Sequence, residues 1–316
     1  MLDLSQDWGI IIMGQIPSKS LNQILTDRAK GLRVDVGRRQ AGEANITHVP
    51  TGFNVIDRTF GGIRRGTTTE LMAHTGDGKS TFARQICESV AKSGGGVLWF
   101  CGEDPEDATA ERYLADGAGI TATQMGRLDL SVKELAAIDK TATSASSWAK
   151  RVEVIFEAPT VDEVLERVLD TKSVGGASLL LGVFDYAQIF GDSTNLETEI
   201  AKLSTKLNQM SGERRLASLL LSQVSNDVIR RGRDKFNSSH DINGYIPTLG
   251  DTEWCRRAEK SCKAVWSLIR PGRWIKENGE EAEDNTAELH VKKANFGPLG
   301  WETIGWDGPK CRFFNI

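Results

Sequence analysis

The sequence lacks the features of membrane, secreted and disulfide-rich proteins. No apolar run approaches the roughly 18 residues that a membrane-spanning helix needs, and no basic leader precedes the short apolar run that ends at Met13. The five cysteines show no CxxC pair and no metal-ligand spacing with the four histidines. We therefore expect a cytoplasmic protein with no membrane partner, whose cysteines are reduced core thiols: Cys87, Cys101, Cys255, Cys262 and Cys311.

A large net charge of either sign is also absent. The net charge is −4, so any contact with DNA must come from a local basic patch. The composition is otherwise that of a folded globular protein, with 39% hydrophobic and 26% charged residues. The length of 316 residues allows one large α/β domain or two small ones.

The most specific motif is a phosphate-binding loop, or P-loop, in which Ala73 replaces the first glycine of GxxxxGK[ST]. Backbone N–H groups of such a loop bind the β-phosphate of a nucleotide, Lys79 reaches the β and γ oxygens, and Ser80 offers a hydroxyl to Mg²⁺. Chance can produce the pattern in a flexible turn, but a β-prone segment precedes it and helically spaced apolar residues follow it. The expected nucleotide contacts are Ala73, His74, Thr75, Gly76, Asp77, Gly78, Lys79, Ser80 and Thr81.

Strand and helix patterns alternate through the body of the chain. This alternation implies right-handed βαβ crossovers and a mainly parallel sheet with helices on both faces, and it places the nucleotide at the carboxyl ends of the strands. The predicted strands of this part are 67–73, 96–101, 152–156, 178–184 and 216–222. An antiparallel C-terminal extension of the sheet is predicted from the strand patterns at 264–269, 287–293, 301–306 and 312–314.

Three polar residues follow apolar strands. Asp185 is suited to bind Mg²⁺, although a core strand can also end in a simple turn aspartate. Glu103 could orient and deprotonate the attacking water, or it could belong to an acidic cap of the next helix. Gln223 could hydrogen-bond the γ-phosphate or its water, or it could merely begin a loop.

An amphipathic helix is predicted at about 18–32, because Ser20 and Gln23 match a capping box and apolar residues follow at helical spacing. Residues 34–45 are polar and unpatterned, which predicts a tether. The domain organisation is then an N-terminal segment, 1–46, and a main domain, 47–316. Periodicity alone leaves open whether the helix packs on its own domain or on a neighbouring subunit.

The most basic short stretch lies at 226–240 and is predicted to be a loop. From charge alone, this stretch would be a solvent-exposed charged loop. Its position directly after Gln223 instead favours contact with the phosphate backbone of single-stranded DNA. The candidate DNA-binding residues are Arg230, Arg231, Arg233 and Lys235.

These motifs together resemble the C-terminal motor domain of DnaB-type ring-shaped replicative helicases, within the RecA-like ATPases. The strand ending in Glu103 is similar to the one that carries the family's catalytic glutamate, Asp185-Tyr-Ala-Gln188 to its Asp-Tyr-x-Gln motif, and Ser222-Gln223 to its Ser-Gln motif. The resemblance implies a RecA-like P-loop NTPase fold, ATP and Mg²⁺ as ligands, and a homo-oligomeric ring, expected to be a hexamer. It also implies that the N-terminal helix packs on the adjacent subunit.

Two features depart from that family. Its C-terminal Lys-x-Arg-x-Gly, which places a lysine and an arginine finger in the neighbour's ATP site, is here Lys293-Ala-Asn295-Phe-Gly297. Lys293 keeps its role, but asparagine cannot neutralise transition-state charge, so either Arg270 or Arg312 substitutes or hydrolysis is slow. The sequence also shows no counterpart of the family's N-terminal collar domain, which resembles compact phage or plasmid helicases, so primase recruitment through a collar is not assumed.

The sequence therefore predicts an ATP-dependent replicative DNA helicase that translocates on single-stranded DNA and unwinds duplex as a ring, with other replisome proteins as further partners. Two alternatives stay open. One is a RecA/RadA-like recombination ATPase, and the other is a KaiC-like regulatory ATPase without unwinding activity, which the absent arginine finger allows. The expected catalytic residues are Lys79, Glu103, Gln223 and Lys293.

Overall fold

Two compact units make up the chain, Met1–Ile46 and Thr47–Ile316. No helix in the described part of the chain is long and apolar enough to cross a membrane. The computed structural model describes residues 19–41, 46–157, 159–185, 187, 196–235, 242–252, 256–274, 276–277, 280–281 and 283–316.

The first unit contains helix α1, Leu21–Gln40. The Ser20 hydroxyl caps this helix by accepting a hydrogen bond from the backbone N–H of Gln23 at 3.1 Å, which is one half of the predicted capping box. Arg38 and Arg39 in the last turn place positive charge at the negative end of the helix dipole. Both ends of the helix are therefore locally stabilised.

Helix α1 extends well beyond the predicted end near residue 32, so the prediction of a tether from residue 34 onward was wrong over its first part. Residues 33–40 show no apolar periodicity, and periodicity detects a helix only where one of its faces is apolar. A charged pair supports the extended part, since Arg28 Nη1 lies 3.4 Å from Asp35 Oδ2. The tether residues 42–45 lie outside the described residues.

The second unit is a central sheet with helices on both faces. Its helices are α2 Asn54–Phe60, α3 Lys79–Lys92, α4 Glu106–Ala118, α5 Ala122–Arg127, α6 Val132–Ala149, α7 Val161–Asp170, α8 Leu196–Arg214, α9 Asn226–Lys235 and α10 Arg256–Ser261. Its strands are β1 His48–Val49, β2 Ile63–Arg64, β3 Thr67–Ala73, β4 Gly96–Cys101, β5 Val152–Ile155, β6 Ser173–Val174, β7 Ala177–Asp185, β8 Ala217–Gln223, β9 Ala264–Ile269, β10 Lys276–Glu277, β11 Glu280–Glu281, β12 Thr286–Ala294, β13 Gly300–Asp307 and β14 Arg312–Phe314.

The central sheet has the strand order β14-β13-β12-β9-β3-β8-β7-β4-β5, and β6 pairs with β7 beside this path. Strands β5, β4, β7, β8, β3 and β9 are parallel neighbours. Strands β12, β13 and β14 continue the sheet in antiparallel pairing. The predicted fold class is therefore confirmed. The order also brings the carboxyl ends of β3, β8, β7 and β4 to one edge, where ligands bind in such folds.

Two apolar cores cover the two faces of the sheet. On one face α2 and α3 pack on the strands around an aromatic group, with the Phe53 and Phe82 rings stacked at 4.9 Å and Phe313 edge-on to Phe82 at 5.7 Å. On the other face α7 and α8 pack against residues that include Leu98 and Phe100. Because both faces are buried, the ends of the parallel strands are held in fixed positions.

Four of the five cysteines lie in the described residues, and all four are free thiols. Cys87, Cys101 and Cys262 are buried, and Cys311 is partly buried. Burial raises the pKa of the Cys87 and Cys101 thiols, which keeps them protonated and unreactive. Cys255 lies outside the described residues.

Residues 226–235 of the basic stretch after Gln223 form helix α9 and not the predicted loop, and residues 236–240 lie outside the described residues. Helix α9 buries Val228, and Gly232 faces the Tyr245 ring so closely that an added Cβ would lie 2.5 Å from it. A glycine within a charged segment suggests a loop in the sequence. Here the same glycine permits the helix to approach an aromatic side chain that lies beyond the end of the basic stretch.

Candidate functional site: a nucleotide-binding loop

The P-loop joins the end of β3 to the start of α3. Its two glycines have positive backbone angles, with φ of 82° at Gly76 and 91° at Gly78. An added Cβ at Gly78 would lie 2.7 Å from the Phe313 ring, so this position admits only glycine. Ala73 is fully buried in β3, and Lys79, Ser80 and Thr81 form the first turn of α3.

Asp185 lies at the end of β7 beside the first turn of α3. The Ser80 hydroxyl donates to Asp185 Oδ1 at 3.2 Å, and Lys79 Nζ lies 3.8 Å from the same oxygen. Burial raises the pKa of the Asp185 carboxyl to about 6, against the opposing effects of Lys79 and Ser80. Its buried second oxygen, Oδ2, makes no hydrogen bond within the described residues. A buried carboxylate with a vacant oxygen next to a hydroxyl fits a Mg²⁺ site.

Glu103 follows β4, the neighbour of β7 in the sheet. Cys101 pairs with Asp185 across these two strands, and the charge of Glu103 contributes to the raised pKa of Asp185. The carboxylate of Glu103 is therefore close to that of Asp185. Helix α4 has Pro105 at its N-cap and no side-chain cap, so Glu103 does not cap that helix.

Gln223, the last residue of β8, reaches the P-loop directly. It pairs with Ala73 across β8 and β3, and its Nε2 donates to Thr75 Oγ1 at 2.8 Å. The structure thus brings three of the four predicted catalytic residues to one edge of the sheet: Lys79, Glu103 and Gln223.

Lys293 is the exception among these four. It lies on β12, and its Nζ donates to the backbone oxygens of Glu259 at 2.6 Å and Lys260 at 3.4 Å. These carbonyls belong to α10, so Lys293 makes no hydrogen bond to its own P-loop among the described residues.

A short segment after β9, Arg270–Trp274, contacts the P-loop; only its Arg270 was named from the sequence, as a possible finger for a neighbour's site, and the rest was missed. Arg273 Nη1 donates to Asp77 Oδ1 at 2.7 Å and to the Thr75 carbonyl at 3.2 Å. Trp274 Nε1 donates to Asp77 Oδ2 at 3.1 Å. The only sequence signal for these contacts is the position of two arginines and a tryptophan directly after a strand.

The two arginines proposed to replace the finger are engaged within their own chain. Arg270 Nη1 donates to the Gly76 carbonyl at 3.0 Å, and its Nε donates to Asp284 Oδ1 at 3.2 Å. Arg312 Nη1 lies 3.0 Å from Asp116 Oδ1. Arg270 therefore touches the P-loop of its own subunit, whereas Arg312 pairs with a residue of α4.

Two of the predicted nucleotide contacts have side chains that point into the protein. Asp77 is fully buried, and burial raises the pKa of its carboxyl to about 6 despite Arg273. His74 Nε2 lies 2.7 Å from the Tyr245 carbonyl, and burial lowers the pKa of its imidazole. At these two positions only the backbone is left to face a phosphate.

The predicted DNA-binding residues divide into different environments. Arg230 pairs with Asp227 at 3.2 Å, and both side chains are more than three quarters exposed, at 77% and 80%. Arg231 instead binds both oxygens of Asp251, at 3.0 and 2.8 Å. The side chains of Arg233 and Lys235 lie outside the described part of the structure, as do Tyr186 and Gln188 of the predicted Asp-Tyr-x-Gln motif.

The chain is similar to known proteins over most of its length. The replicative DNA helicase DnaB of Pasteurella multocida (strain Pm70) is 25% identical over 296 residues, which are 90% of this chain but only 59% of that helicase. Among solved structures, a DnaB-like replicative helicase matches with a TM-score of 0.74 and 20% identity, over 95% of this chain and 68% of that one. A KaiC-like protein of Pyrococcus horikoshii OT3 matches with a TM-score of 0.56 and 16% identity, over 85% of this chain and 98% of its own. At these identities the two structures show the fold alone.

A family model gives the more specific assignment. The model described as DnaB-like helicase C terminal domain matches residues 48–315, which is nearly all of the second unit. With its P-loop, Asp185, Glu103 and Gln223 at one edge of the sheet, the chain belongs to the DnaB-like helicase C-terminal domain family.

Proposed function

We propose that this chain is the ATP-hydrolysing motor of a replicative DNA helicase and acts in the cytoplasm as a hexameric ring on single-stranded DNA. The main support is the convergence of the P-loop with polar residues from three neighbouring strands. The Ser80 hydroxyl contacts Asp185 at 3.2 Å, and Gln223 contacts Thr75 at 2.8 Å. If these polar residues only ended their strands, nothing would require them to meet at the P-loop.

Each of these residues has a chemical role in the proposal. Lys79 neutralises the β and γ oxygens of ATP, and Glu103 accepts the proton of the attacking water. Gln223 hydrogen-bonds the γ-phosphate or that water. Helix α9 begins three residues later and shifts when the γ-phosphate is lost. Mg²⁺, held by Ser80 and Asp185, would supply positive charge beside the phosphates.

The hydrolysis proposal is tested by two substitutions in the purified protein. Lys79→Ala should abolish ATP turnover, because it removes the positive charge that neutralises the β and γ oxygens. Glu103→Gln should retain ATP binding and lose turnover, because an amide cannot accept the proton. Glu106→Gln, an exposed residue in the first turn of α4, is the matched control. Normal turnover by Lys79→Ala would contradict the site, and normal turnover by Glu103→Gln would require another base.

Ring assembly is proposed to use helix α1 of a neighbouring copy. Leu21, Ile24, Leu25, Leu32 and Val36 follow one face of this helix and are all about half exposed or more. The second unit has a groove of about 970 Å³ between α3, α4, α6 and β14. Aromatic side chains line this groove, which gives the helix of a second copy an apolar surface: Phe53, Tyr113, Trp148, Phe313 and Phe314.

The assembly proposal is tested by light scattering on two variants. Deleting residues 1–46 should convert the ring into monomers or small oligomers. Ala145→Arg, on the α6 wall of the groove, should do the same while leaving α1 present. An undiminished ring in the deletion would mean that α1 is not needed for assembly. If the ring is lost in the deletion but survives in Ala145→Arg, helix α1 docks on a surface other than this groove.

DNA contact is assigned to the exposed face of α9. The pair between Arg230 and Asp227 is a surface ion pair of the kind that contributes little to stability, so Arg230 is available to a phosphate. Arg231, held by Asp251, is more suited to fix the helix than to bind DNA. Replacing Arg230 and Arg233 with alanine should weaken binding of all single strands alike and make its dependence on salt shallower. Wild-type binding by this double variant at every salt concentration would remove α9 from the DNA path.

Duplex unwinding separates the proposal from its alternatives. A helicase separates strands with ATP, whereas a KaiC-like regulatory ATPase does not, and a RecA/RadA-like protein forms a filament on DNA. Asn295 in place of the finger arginine, together with Arg270 bound in its own subunit, favours slow hydrolysis and keeps the regulatory alternative in the test. ATP-dependent strand separation by the wild-type protein, absent in Lys79→Ala, would support the helicase.

A further inference from the structure

The P-loop is held from outside by one short segment of the same chain. Arg273 and Trp274 bind the two oxygens of Asp77, and Arg273 also binds the Thr75 carbonyl. Arg270 binds the Gly76 carbonyl. Three consecutive residues of the loop therefore have an oxygen bound by Arg270–Trp274.

These contacts determine where the loop's N–H groups point. In a trans peptide the carbonyl and the following N–H point in opposite directions. A Thr75 carbonyl anchored on Arg273 turns the Gly76 N–H away from the arginine, and the Asp77 N–H closes a turn onto the His74 carbonyl at 3.1 Å. An added Cβ at Gly76 would lie 2.9 Å from Arg273 Nη1, so the guanidinium fills the space that a side chain would need.

The centre of this arrangement is the carboxylate of Asp77, whose charge would destabilise the fold if it were buried without a partner. Asp77 is fully buried, and Arg273 is its cationic partner. A buried ion pair that loses one member leaves an uncompensated charge, so Arg273 is not free to exchange Asp77 for a phosphate. Trp274 is fixed in turn, because its ring lies 4.6 Å from His74 and 5.6 Å from Tyr245.

We propose that Asp77, Arg273 and Trp274 form a latch that holds the P-loop in its phosphate-binding shape before the nucleotide arrives. They are positioning residues, and the inference rests on the proposed binding of ATP at this loop. A loop that is ordered in advance loses less conformational entropy on binding. Breaking the latch should therefore weaken nucleotide affinity more than it slows the chemical step.

The test compares Arg273→Gln, Asp77→Asn and their double variant in the full chain. Each single change should raise the Kd for ATP and the KM by about tenfold or more, while kcat falls by about threefold at most. The double variant should have a Kd for ATP no higher than that of the weaker-binding single variant, because both changes break the same latch. Arg273→Lys should recover part of the affinity, since lysine keeps a positive charge for Asp77 but lacks the planar guanidinium. Arg167→Gln, which breaks a surface ion pair with Glu153, is the control.

Several results would overturn the latch. If Asp77→Asn tightens ATP binding while Arg273→Gln weakens it, Arg273 is a phosphate ligand that Asp77 restrains. If the wild-type protein binds ATP and all variants match it, the contacts have no role in binding. Should the charge variants fail to fold, Trp274→Phe keeps both charges and still has to weaken binding by about threefold or more; an unchanged Kd refutes the latch. A wild-type protein that does not bind ATP would overturn the proposed function and the latch with it.

Discussion

Replacing Glu70 with methionine should stabilise the protein, and the gain should grow as the pH rises. Glu70 is fully buried in the middle of β3, and neither of its carboxyl oxygens makes a hydrogen bond of normal geometry to the described residues. Burial raises the pKa of this carboxyl from 4.5 to about 8; Ser222 and Lys293 oppose the rise, and Glu259 adds to it. At low pH the folded protein therefore contains a neutral carboxylic acid at this position.

The sign of the effect follows from proton binding. Between the unfolded pKa of 4.5 and the folded pKa of about 8, the folded state holds the proton more tightly. The stability that this proton provides is complete below pH 4.5 and is lost as the pH rises to about 8. At about 1.4 kcal/mol per pH unit, the free energy of unfolding should fall by about 3 kcal/mol between about pH 5 and about pH 7.5 from this group alone. Methionine has a similar length and no charge, so the variant should lack this fall.

Urea unfolding of both proteins, followed by tryptophan fluorescence across this pH range, measures the difference directly. Effects from other groups are common to both proteins and largely cancel, except those of Glu259 and Lys293. Glu111→Met, an exposed change on α4, is the control and should show no growing difference. If the stability difference between Glu70→Met and the wild type is the same at both ends of the range, Glu70 is ionised in the folded state and the reasoning is wrong.

Three further predictions concern the helices and the loop. Arg231→Ala should lower the melting temperature more than Arg230→Ala, because only the loss of Arg231 removes the cationic partner of a partly buried carboxylate, Asp251; differential scanning calorimetry compares them. Gly78→Ala should lose most nucleotide binding in a fluorescence titration, because the new methyl group meets the Phe313 ring and requires a strained backbone. Deleting residues 1–46 should leave the melting temperature of the rest nearly unchanged at a concentration where both proteins are monomeric, because the second unit has its own cores.

The sequence was most informative where a strand is buried on both faces. The strands Gly96–Cys101 and Ala264–Ile269 have the predicted ends, because a continuous apolar run stops where the chain leaves the core. The same logic located Asp185 and Gln223, which follow such runs. Their convergence on the P-loop was predictable, since the carboxyl ends of neighbouring parallel strands meet at one edge.

The remaining features depend on contacts between distant parts of the chain. Arg273 and Asp77 are 196 positions apart, and nothing local to either residue indicates the pair. Helix α9 was predicted as a loop, and the contact of Gly232 with the Tyr245 ring that accompanies the helix lies outside the local pattern. Local patterns report which residues are buried, but they do not report which polar groups meet after folding.

The position of Phe313 has a consequence for the order of events during synthesis. Its backbone N–H donates to Gln85 Oε1 at 3.0 Å and its carbonyl accepts from Gln85 Nε2 at 2.8 Å, which joins α3 to a strand 228 residues later. The ring of Phe313 also closes the space behind Gly78. While the chain is still on the ribosome, β3, the P-loop and α3 are synthesised long before Phe313, and contacts of such long range form late. Ribosome-bound chains of increasing length should therefore gain affinity for ATP only when β14 has emerged. Nucleotide binding then depends on β14 as well as on the segment that carries the motif.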